Sequence, residues 1–322
     1  MLRLHVAVDH ELASEVVSIL QSEPAVSELS VLRGASIEPP GDVVNAAVAR
    51  EAANGLVDRL MALGVAERGT LHLEPVHTWA SAAGLAAERL APGSSADSVV
   101  WADVTQRAYE DSEPNWTYLT LTTLATLLAG VAIVLDSQIL VIGAMVIGPE
   151  FGAVAALGVA LVRRRVGLFG RALATLVGGF AVGITVTVVA AAAGGALGWI
   201  TRADVTADRP QTGFVYTPDR WSLVVALIAA AAGVLALTSS RVGGLSGVFI
   251  SVTTVPAAAN VALGLTFGVW SEVWGSTLQL GVNLVAMTVA GWITLLIQQT
   301  VWSRVSTGRA RIVERRRARR ST

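Results

Sequence analysis

The chain has 322 residues, of which 53% are hydrophobic and only 15% are charged. Soluble domains carry about a quarter charged residues, so this composition excludes an ordinary water-soluble protein and indicates a membrane protein. The net charge of −1 conceals a segregation along the chain. Residues 1–118 hold 7 Arg against 17 acidic residues, residues 119–302 hold 8 against 6, and residues 303–322 hold 8 against 1. These segments predict an acidic soluble part, a membrane body and a basic tail.

The reactive residue types exclude several kinds of chemistry. The chain has no cysteine, which excludes disulfides, thiolate metal sites and a cysteine nucleophile. Its 4 histidines all precede the apolar part, and none pairs at a helical metal-binding spacing. The apolar part also lacks paired carboxylates and a nucleotide-binding loop. We therefore expect neither an enzyme nor a bound metal or cofactor.

Residues 1–76 alternate between the periods of strands and helices. The predicted order is strand, helix, strand, strand, helix, strand, which is the ferredoxin-like arrangement. The predicted elements are Leu2–Val8, Leu12–Leu20, Val26–Ile37, Asp42–Val48, Glu51–Leu63 and Thr70–Val76. Such a domain can regulate or oligomerise a protein, or can serve as a structural cap, and the sequence leaves both possibilities open. Its acidic surface is unsuited to nucleic acid, so we expect no nucleic-acid partner.

Residues 77–118 form a predicted connector to the membrane body. The segments Ala80–Leu90 and Ser98–Tyr109 have helical spacing, and Pro92-Gly93-Ser94-Ser95 separates them. The second segment is amphipathic, which is typical of a helix at the membrane surface. A solvated linker is the alternative.

Six apolar stretches follow, each near the roughly 20 residues that cross a bilayer. They define a transmembrane domain over residues 119–302. The stretches are Leu119–Leu135, Gln138–Val162, Ala172–Ile200, Ser222–Thr238, Leu245–Phe267 and Gly275–Gln299.

The arginines predict the orientation of these spans. Arg163-Arg164-Arg165 and Arg171 follow the second span, Arg241 follows the fourth, and 8 arginines follow the sixth. Positively charged ends stay in the cytoplasm, so both chain termini are predicted there. The first 30 residues contain 5 acidic residues and no unbroken apolar core, so no signal peptide is predicted. The use of Arg for every basic residue suggests a GC-rich bacterial genome, and hence a bacterial plasma membrane.

The basic tail, residues 303–322, is predicted to bind anionic lipid. A binding site for another macromolecule is the alternative for this segment.

Short similarities relate the two halves of the body. Ala129-Gly130-Val131 corresponds to Ala232-Gly233-Val234, and Leu157-Gly158-Val159 corresponds to Leu263-Gly264-Leu265, at offsets of 103 and 106 positions. Matches between small apolar residues can arise by chance, but their common order favours a duplication. Because each unit has three spans, the second copy must be inverted in the membrane. Inverted repeats are typical of secondary transporters.

Helix-breaking residues interrupt two of the predicted spans. Gly148, Pro149 and Gly152 lie in the middle of the second span, and Pro256 lies in the middle of the fifth. Breaks at matching depth predict a shared site at the bilayer midplane. Two simple packing kinks would be the structural alternative.

Glu150 is the most informative residue of the body. A charged group at the bilayer centre costs ~3 kcal/mol or more, so this acid should face a cavity, be protonated or meet a cation. The candidate partners are Asn260, Asn283, Gln138, Ser251, Thr253 and Thr254. A buried neutral carboxyl on a kinked backbone is the alternative. Asp136 is a second candidate acid, which can equally be a turn residue at a span end.

The sequence resembles a known family at these residues. The segment Gly143-Ala144-Met145-Val146-Ile147-Gly148-Pro149 after Asp136-Ser137, the stretch from Pro256 to Gly264, and Val282-Asn283-Leu284 are similar to bacterial hydrophobic membrane proteins called domain of unknown function 389. The resemblance covers about 119–299. It implies an integral membrane protein with an amino-terminal cytoplasmic region, and it implies no substrate.

The expected fold is therefore a polytopic α-helical membrane protein with six spans in a 3+3 inverted repeat and a ferredoxin-like cytoplasmic domain. The expected function is secondary transport of a small solute or ion, with the site between the broken second and fifth spans. A channel and a ligand-sensing or scaffolding protein are the alternatives. The expected partners are the bilayer, the transported solute or ion, and further copies of the chain.

Overall fold

The computed structural model describes residues 1–76, 78–91, 99–215, 220–239 and 254–318, with side chains up to Val301 except that of Phe214. The predicted loop Pro92-Gly93-Ser94-Ser95, Arg241, residues 245–253 of the fifth span and the tail side chains lie outside the described residues. The chain divides into two compact units. Met1–Val104 form most of the first unit, and Thr105–Leu237 with Val242–Ile297 form the second.

The first unit contains a four-stranded antiparallel sheet with the strand order β2-β3-β1-β4. Strand β1 is followed by helix α1, the β2–β3 hairpin, helices α2 and α3, and strand β4. This chain order agrees with the predicted one, apart from the four-residue helix α3 after α2. The bounds are β1 Leu2–Val8, α1 His10–Ser22, β2 Val26–Ser36, β3 Gly41–Val48, a 3-10 turn Arg50–Ala52, α2 Ala53–Ala62, α3 Val65–Arg68 and β4 Gly69–Pro75.

Alternation along β1 explains how this domain is held together. Leu4, Val6 and Val8 are buried with Leu12 and Val16 of α1, because every second strand residue points toward the same side. Helix α1 begins where the Asp9 side chain accepts a hydrogen bond from the Leu12 amide. The core therefore lies between the helices and one face of the sheet.

Two helices follow the sheet, α4 Ala82–Leu90 and α5 Trp101–Asp111. Ser81 caps α4 by accepting a hydrogen bond from the Gly84 amide. Asn54 of α2 fixes the chain just before α5, since its side chain donates to the Val99 carbonyl and accepts from the Trp101 amide.

The second unit consists of helices that are long and apolar enough to cross a membrane. Four single helices in the described residues meet this condition, and the pair α7 and α8, bent by 55°, would make a fifth span. Helix α12, with 14 described residues, is a shorter apolar helix. The helices are α6 Trp116–Val134, α7 Gln138–Ile147, α8 Glu150–Arg163, α9 Val166–Ala196, α10 Arg202–Thr206, α11 Arg220–Thr238, α12 Thr254–Phe267 and α13 Trp270–Ala318. This architecture is that of a polytopic helical membrane protein.

The helices of this unit follow a constant spacing of 104 positions. Helices α6 and α11 end 104 positions apart, at Val134 and Thr238, and α8 and α12 end 104 positions apart, at Arg163 and Phe267. Helices α9 and α13 begin 104 positions apart. The turns before them match, since Arg164 and Gly268 both have left-handed backbones, with φ of 52° and 68°.

Candidate functional site

The second predicted span is broken at Gly148 and Pro149. Helix α7 ends at Ile147, α8 begins at Glu150, and their axes differ by 55°. Proline lacks the amide hydrogen that would continue α7 and disfavours helical backbone at the residue before it, so Gly148 is extended, with φ of −63° and ψ of 124°. The break therefore places Glu150 in the first turn of a new helix.

Glu150 is completely buried and is bonded to the start of α12. Its Oε1 atom accepts a hydrogen bond of 2.7 Å from the hydroxyl of Thr254, which is also completely buried. Its Oε2 atom lies over Gly148, where an added Cβ would come within 2.4 Å of that oxygen and 2.9 Å of Cγ2 of Val255. The glycine thus leaves the space that the carboxyl group occupies.

Pro256 is the third residue of α12 and is buried. The described part of α12 begins at Thr254, two residues before Pro256, and a proline supplies no amide hydrogen to a helix. The predicted partners Ser251 and Thr253 lie outside the described residues.

The contacts between α12 and α13 show at which height along the helix axes the Glu150–Thr254 pair lies. Asn260 donates to Ser276, and a Cβ at Gly264 would lie 2.8 Å from Val273, so α12 and α13 run antiparallel. Extending this register back along α12 brings Thr254 to the level of Asn283. Asn283 is completely buried and lies near the middle of the apolar stretch Trp270–Val301. Glu150, Thr254 and Asn283 are called the central cluster below.

A glycine of α9 occupies the position equivalent to Asn283. Gly179 precedes Asn283 by 104 positions, and an added Cβ there would lie 2.6 Å from the ring of Tyr118, which is buried. Tyr118 could not be recognised from the sequence, because an aromatic residue at a predicted span end is ordinarily an interfacial anchor.

Asn260 is not a partner of Glu150 in this structure. Its Oδ1 atom accepts a hydrogen bond of 3.1 Å from Arg209, and its Nδ2 atom donates to Ser276 at 2.8 Å. Arg209 also forms a hydrogen-bonded ion pair with Glu272. Arg209, Asn260, Glu272 and Ser276 are called the Arg209 cluster below, and between 0% and 8% of each residue is exposed.

Asp136 lies in the turn between α6 and α7 and binds a loop. Its Oδ1 atom accepts hydrogen bonds from the amide and the hydroxyl of Thr212, at 2.9 and 2.8 Å, and Oδ2 accepts from the Gln211 amide. Its backbone has φ of 43°, as expected of a turn residue. Gln138, the next predicted polar residue, is exposed at the start of α7. Neither residue joins the central cluster.

Gly152 of α8 accommodates the end of the connector. An added Cβ would lie 3.0 Å from Cβ of Asp111, and the buried Ser112 accepts a hydrogen bond from Thr175 of α9 through its carbonyl. Burial raises the pKa of Asp111, and the charge of Glu110 raises it further. The connector thus ends in contact with two helices of the second unit.

The described residues contain no group of three or more His, Cys, Asp or Glu side chains that could hold a metal ion. A groove of about 540 Å³ lies between α8, α9 and α13. Leu157, Phe169, Phe180 and Leu284 are among its lining residues, which are apolar except for Thr288. Such a lining suits acyl chains, so the groove is not a site for a polar solute.

The family comparison covers the central cluster. Residues 145–289 match the family model described as Domain of unknown function (DUF389). This region is therefore similar to the DUF389 family. The resemblance predicted from the Gly-Ala-Met segment is thus confirmed. The DUF389 region contains Glu150, Thr254 and Asn283, whereas the sheet domain lies before it. No curated protein and no solved structure matches the chain.

Proposed function

We propose that this protein is a secondary transporter of a small solute or ion, with its binding site at the central cluster. The observation that carries the proposal is the hydrogen bond between Glu150 and Thr254, which joins the start of α8, just after the break in the second span, to α12 beside Pro256. Interrupted helices that meet near the midplane are a recurrent way to build transport sites. The proposal places the protein in the bacterial plasma membrane with both termini in the cytoplasm.

The constant spacing of 104 positions supports a 3+3 inverted repeat within this proposal. Two pairs of helices end at this spacing, and a third pair begins at it. With α7 and α8 counted as one broken span, each repeat has three spans. The fourth, fifth and sixth spans then run opposite to the first three, and the two breaks meet at the centre.

Glu150 has the role of coupling residue in this proposal. Its burial makes an uncompensated charge costly, while the Thr254 hydroxyl and the positive start of α8, where Glu150 lies, stabilise the ionised form. These opposing effects allow a proton or a cation to change the state of the carboxyl group. The complete burial of Glu150 corresponds to an occluded state in a transport cycle.

The proposal can be tested with purified protein in liposomes, by recording transient currents on a solid-supported membrane after steps of H⁺, Na⁺, K⁺, chloride or small carboxylates. We expect a saturable current for at least one of them. Glu150→Gln should abolish that current while keeping the thermal unfolding temperature, because glutamine can still accept from Thr254. Glu110→Gln, at an exposed position of α5, is the matched control. An unchanged current in Glu150→Gln would remove Glu150 from the mechanism.

The alternatives give different results in the same preparation. A channel would show unitary currents that do not saturate at low concentration. A ligand-sensing or scaffolding protein would show no current for any of these ions. As further parts of the proposal, the chain forms homo-oligomers, its amino-terminal domain regulates or oligomerises it, and the basic tail binds anionic lipid.

A further inference from the structure

A polar stripe runs along one face of α13 from its first turn to the central cluster. It consists of Glu272, Ser276, Gln279 and Asn283, whose spacing of 4, 3 and 4 residues places them on the same face. At most 8% of each residue is exposed. The stripe is about 16 Å long, at 1.5 Å per residue. It therefore connects one end of the second unit with the level of Glu150.

Arg209 closes the far end of this stripe. Its guanidinium group pairs with Glu272, the first residue of the stripe, and only 3% of Arg209 is exposed. Removing a charged group from water costs several kcal/mol per ion, so the burial of the Arg209–Glu272 pair is weak evidence that the pair stabilises the fold. The loop that carries Arg209 follows α10 and is bound to Asp136 three residues later, through Thr212.

The second oxygen of Glu272 is incompletely satisfied. Oε2 is buried and has no hydrogen-bond partner among the residues that the structure describes. Buried polar atoms are nearly always paired, so an exception calls for an explanation. A carboxylate oxygen without a donor suits a site that takes up water or a cation in another state.

We propose that the Arg209 cluster is a gate that closes a polar path to the central cluster, and that the path admits small cations. The inference rests on the proposed transport function. In the closed state Arg209 occupies the place of a cation at Glu272. In the open state Arg209 leaves Glu272, and water enters along Ser276, Gln279 and Asn283.

The charges of the path determine which solutes fit. Its two acids are Glu272 and Glu150, with hydroxyl and amide groups between them. Among the described residues, Arg209 is the basic residue in contact with the stripe. Carboxylate and amide oxygens together attract small cations and repel anions. The arginine distribution predicts that this gate faces outward.

The absence of native cysteine allows a direct test. Gln279→Cys places one thiol on the stripe, one helical turn from Ser276 toward the central cluster. Val285→Cys places one thiol on the exposed side of α13 and is the control. Each is combined with the native gate, with Glu272→Gln, with Arg209→Gln, and with the exchanged pair Arg209→Glu and Glu272→Arg. Intact protein in liposomes is treated with a membrane-impermeant methanethiosulfonate that carries a quaternary ammonium group.

We expect the thiol at position 279 to react slowly behind the native gate and at least tenfold faster in each single gate variant. The exchanged pair should restore slow reaction, while the control thiol at position 285 should stay slow throughout. Equal rates at position 279 in all four backgrounds would show that the ion pair is a static bridge. Gel filtration and tryptophan-detected unfolding identify any variant that does not fold, and Arg209→Met, which removes the charge but keeps a long unbranched side chain, replaces Arg209→Gln in that case.

A second comparison tests the charge preference of the path. In the Arg209→Gln background, which keeps both acids, the cationic reagent should modify position 279 at least tenfold faster than a sulfonate reagent of similar size, after correction for their reactivity with a free thiol. Equal or reversed rates would exclude a cation path. Neither measurement depends on transport, so the gate can fail while the proposed transporter stands, and the absence of any current leaves the labelling results interpretable.

Discussion

The Glu150 carboxylate accepts a hydrogen bond from the Thr254 hydroxyl, and the two residues lie 104 positions apart, the same spacing that separates the ends of α8 and α12. In the proposed inverted repeat, this bond joins equivalent positions of the two halves of the second unit. A pair that links equivalent positions lies close to the symmetry axis of a repeat. Under the proposal, one acid that is present in only one half can therefore act at the centre of both.

Loss of this hydrogen bond should destabilise the protein. We expect Thr254→Val to lower the free energy of unfolding by about 1–3 kcal/mol, because it removes a donor from a buried carboxyl group. Thr254→Ser keeps the hydroxyl and should recover most of the loss. Tryptophan fluorescence during thermal unfolding in detergent measures both variants. Equal unfolding temperatures for the valine and serine variants would contradict the assigned role of the hydroxyl.

Gly148 should tolerate no side chain at all. A Cβ there would lie 2.4 Å from Oε2 of Glu150, so Gly148→Ala should displace the carboxyl group and lower the unfolding temperature. Gly143 of α7 has no neighbour within 4 Å of an added Cβ, so Gly143→Ala is the matched control. We expect the control to be neutral or slightly stabilising, because alanine favours helix. The prediction fails if the two alanine variants unfold alike.

Asp42 makes the stability of the amino-terminal domain depend on pH. Its carboxylate accepts from the Gly34 amide, the Arg33 guanidinium and the His10 ring, and these bonds lower its pKa to about 2. The unfolded value is about 3.9, so the stabilisation is complete above that pH and disappears as the pH falls toward 2.

Comparison with Asp42→Asn isolates this effect, because the amide cannot titrate. The unfolding temperature of the native protein should exceed that of the variant most clearly at pH 5 to 7. The difference should shrink as the pH is lowered toward 2. A difference that stays constant across this range would show that the asparagine acts through packing rather than charge.

The fold of the first unit could be read from the sequence because each strand and helix has its own hydrophobic period. Leu4, Val6 and Val8 alternate, and Leu12 and Val16 recur at helical spacing, so local patterns determine the order of elements. The proposed repeat is harder to place from the sequence. Small apolar residues such as Gly158 and Gly264 match at several offsets, whereas the ends of α6 and α11, the ends of α8 and α12, and the starts of α9 and α13 all give a spacing of 104 positions.

Only part of the candidate site could be predicted. Glu150 was identifiable because an acid within an apolar stretch is costly, and Thr254 was among the candidate partners. Arg209 and Glu272 lie in polar surroundings near predicted span ends, where charged residues are ordinarily solvated. The signal that could have revealed the gate is the periodic placement of Glu272, Ser276, Gln279 and Asn283 on one helix face.

The inverted repeat predicts that equivalent positions of α9 and α13 face opposite sides of the membrane. Val166 and Trp270 are the first residues of these helices, lie 104 positions apart and are 84% and 63% exposed. Because the native chain has no cysteine, Val166→Cys and Trp270→Cys each provide a single thiol for labelling with a membrane-impermeant maleimide. The arginines of residues 163–165 predict that position 166 faces the cytoplasm.

We therefore expect the thiol at position 270 to react in intact spheroplasts, and the thiol at position 166 to react only after the membrane is permeabilised. Detergent-solubilised protein, in which both thiols should react, controls for local accessibility. Reaction of both positions from the same side would contradict an inverted repeat, because it requires an even number of crossings between the starts of α9 and α13. Reaction of position 166 alone in intact spheroplasts would keep the repeat but reverse the orientation, which would place the Arg209 cluster on the cytoplasmic side.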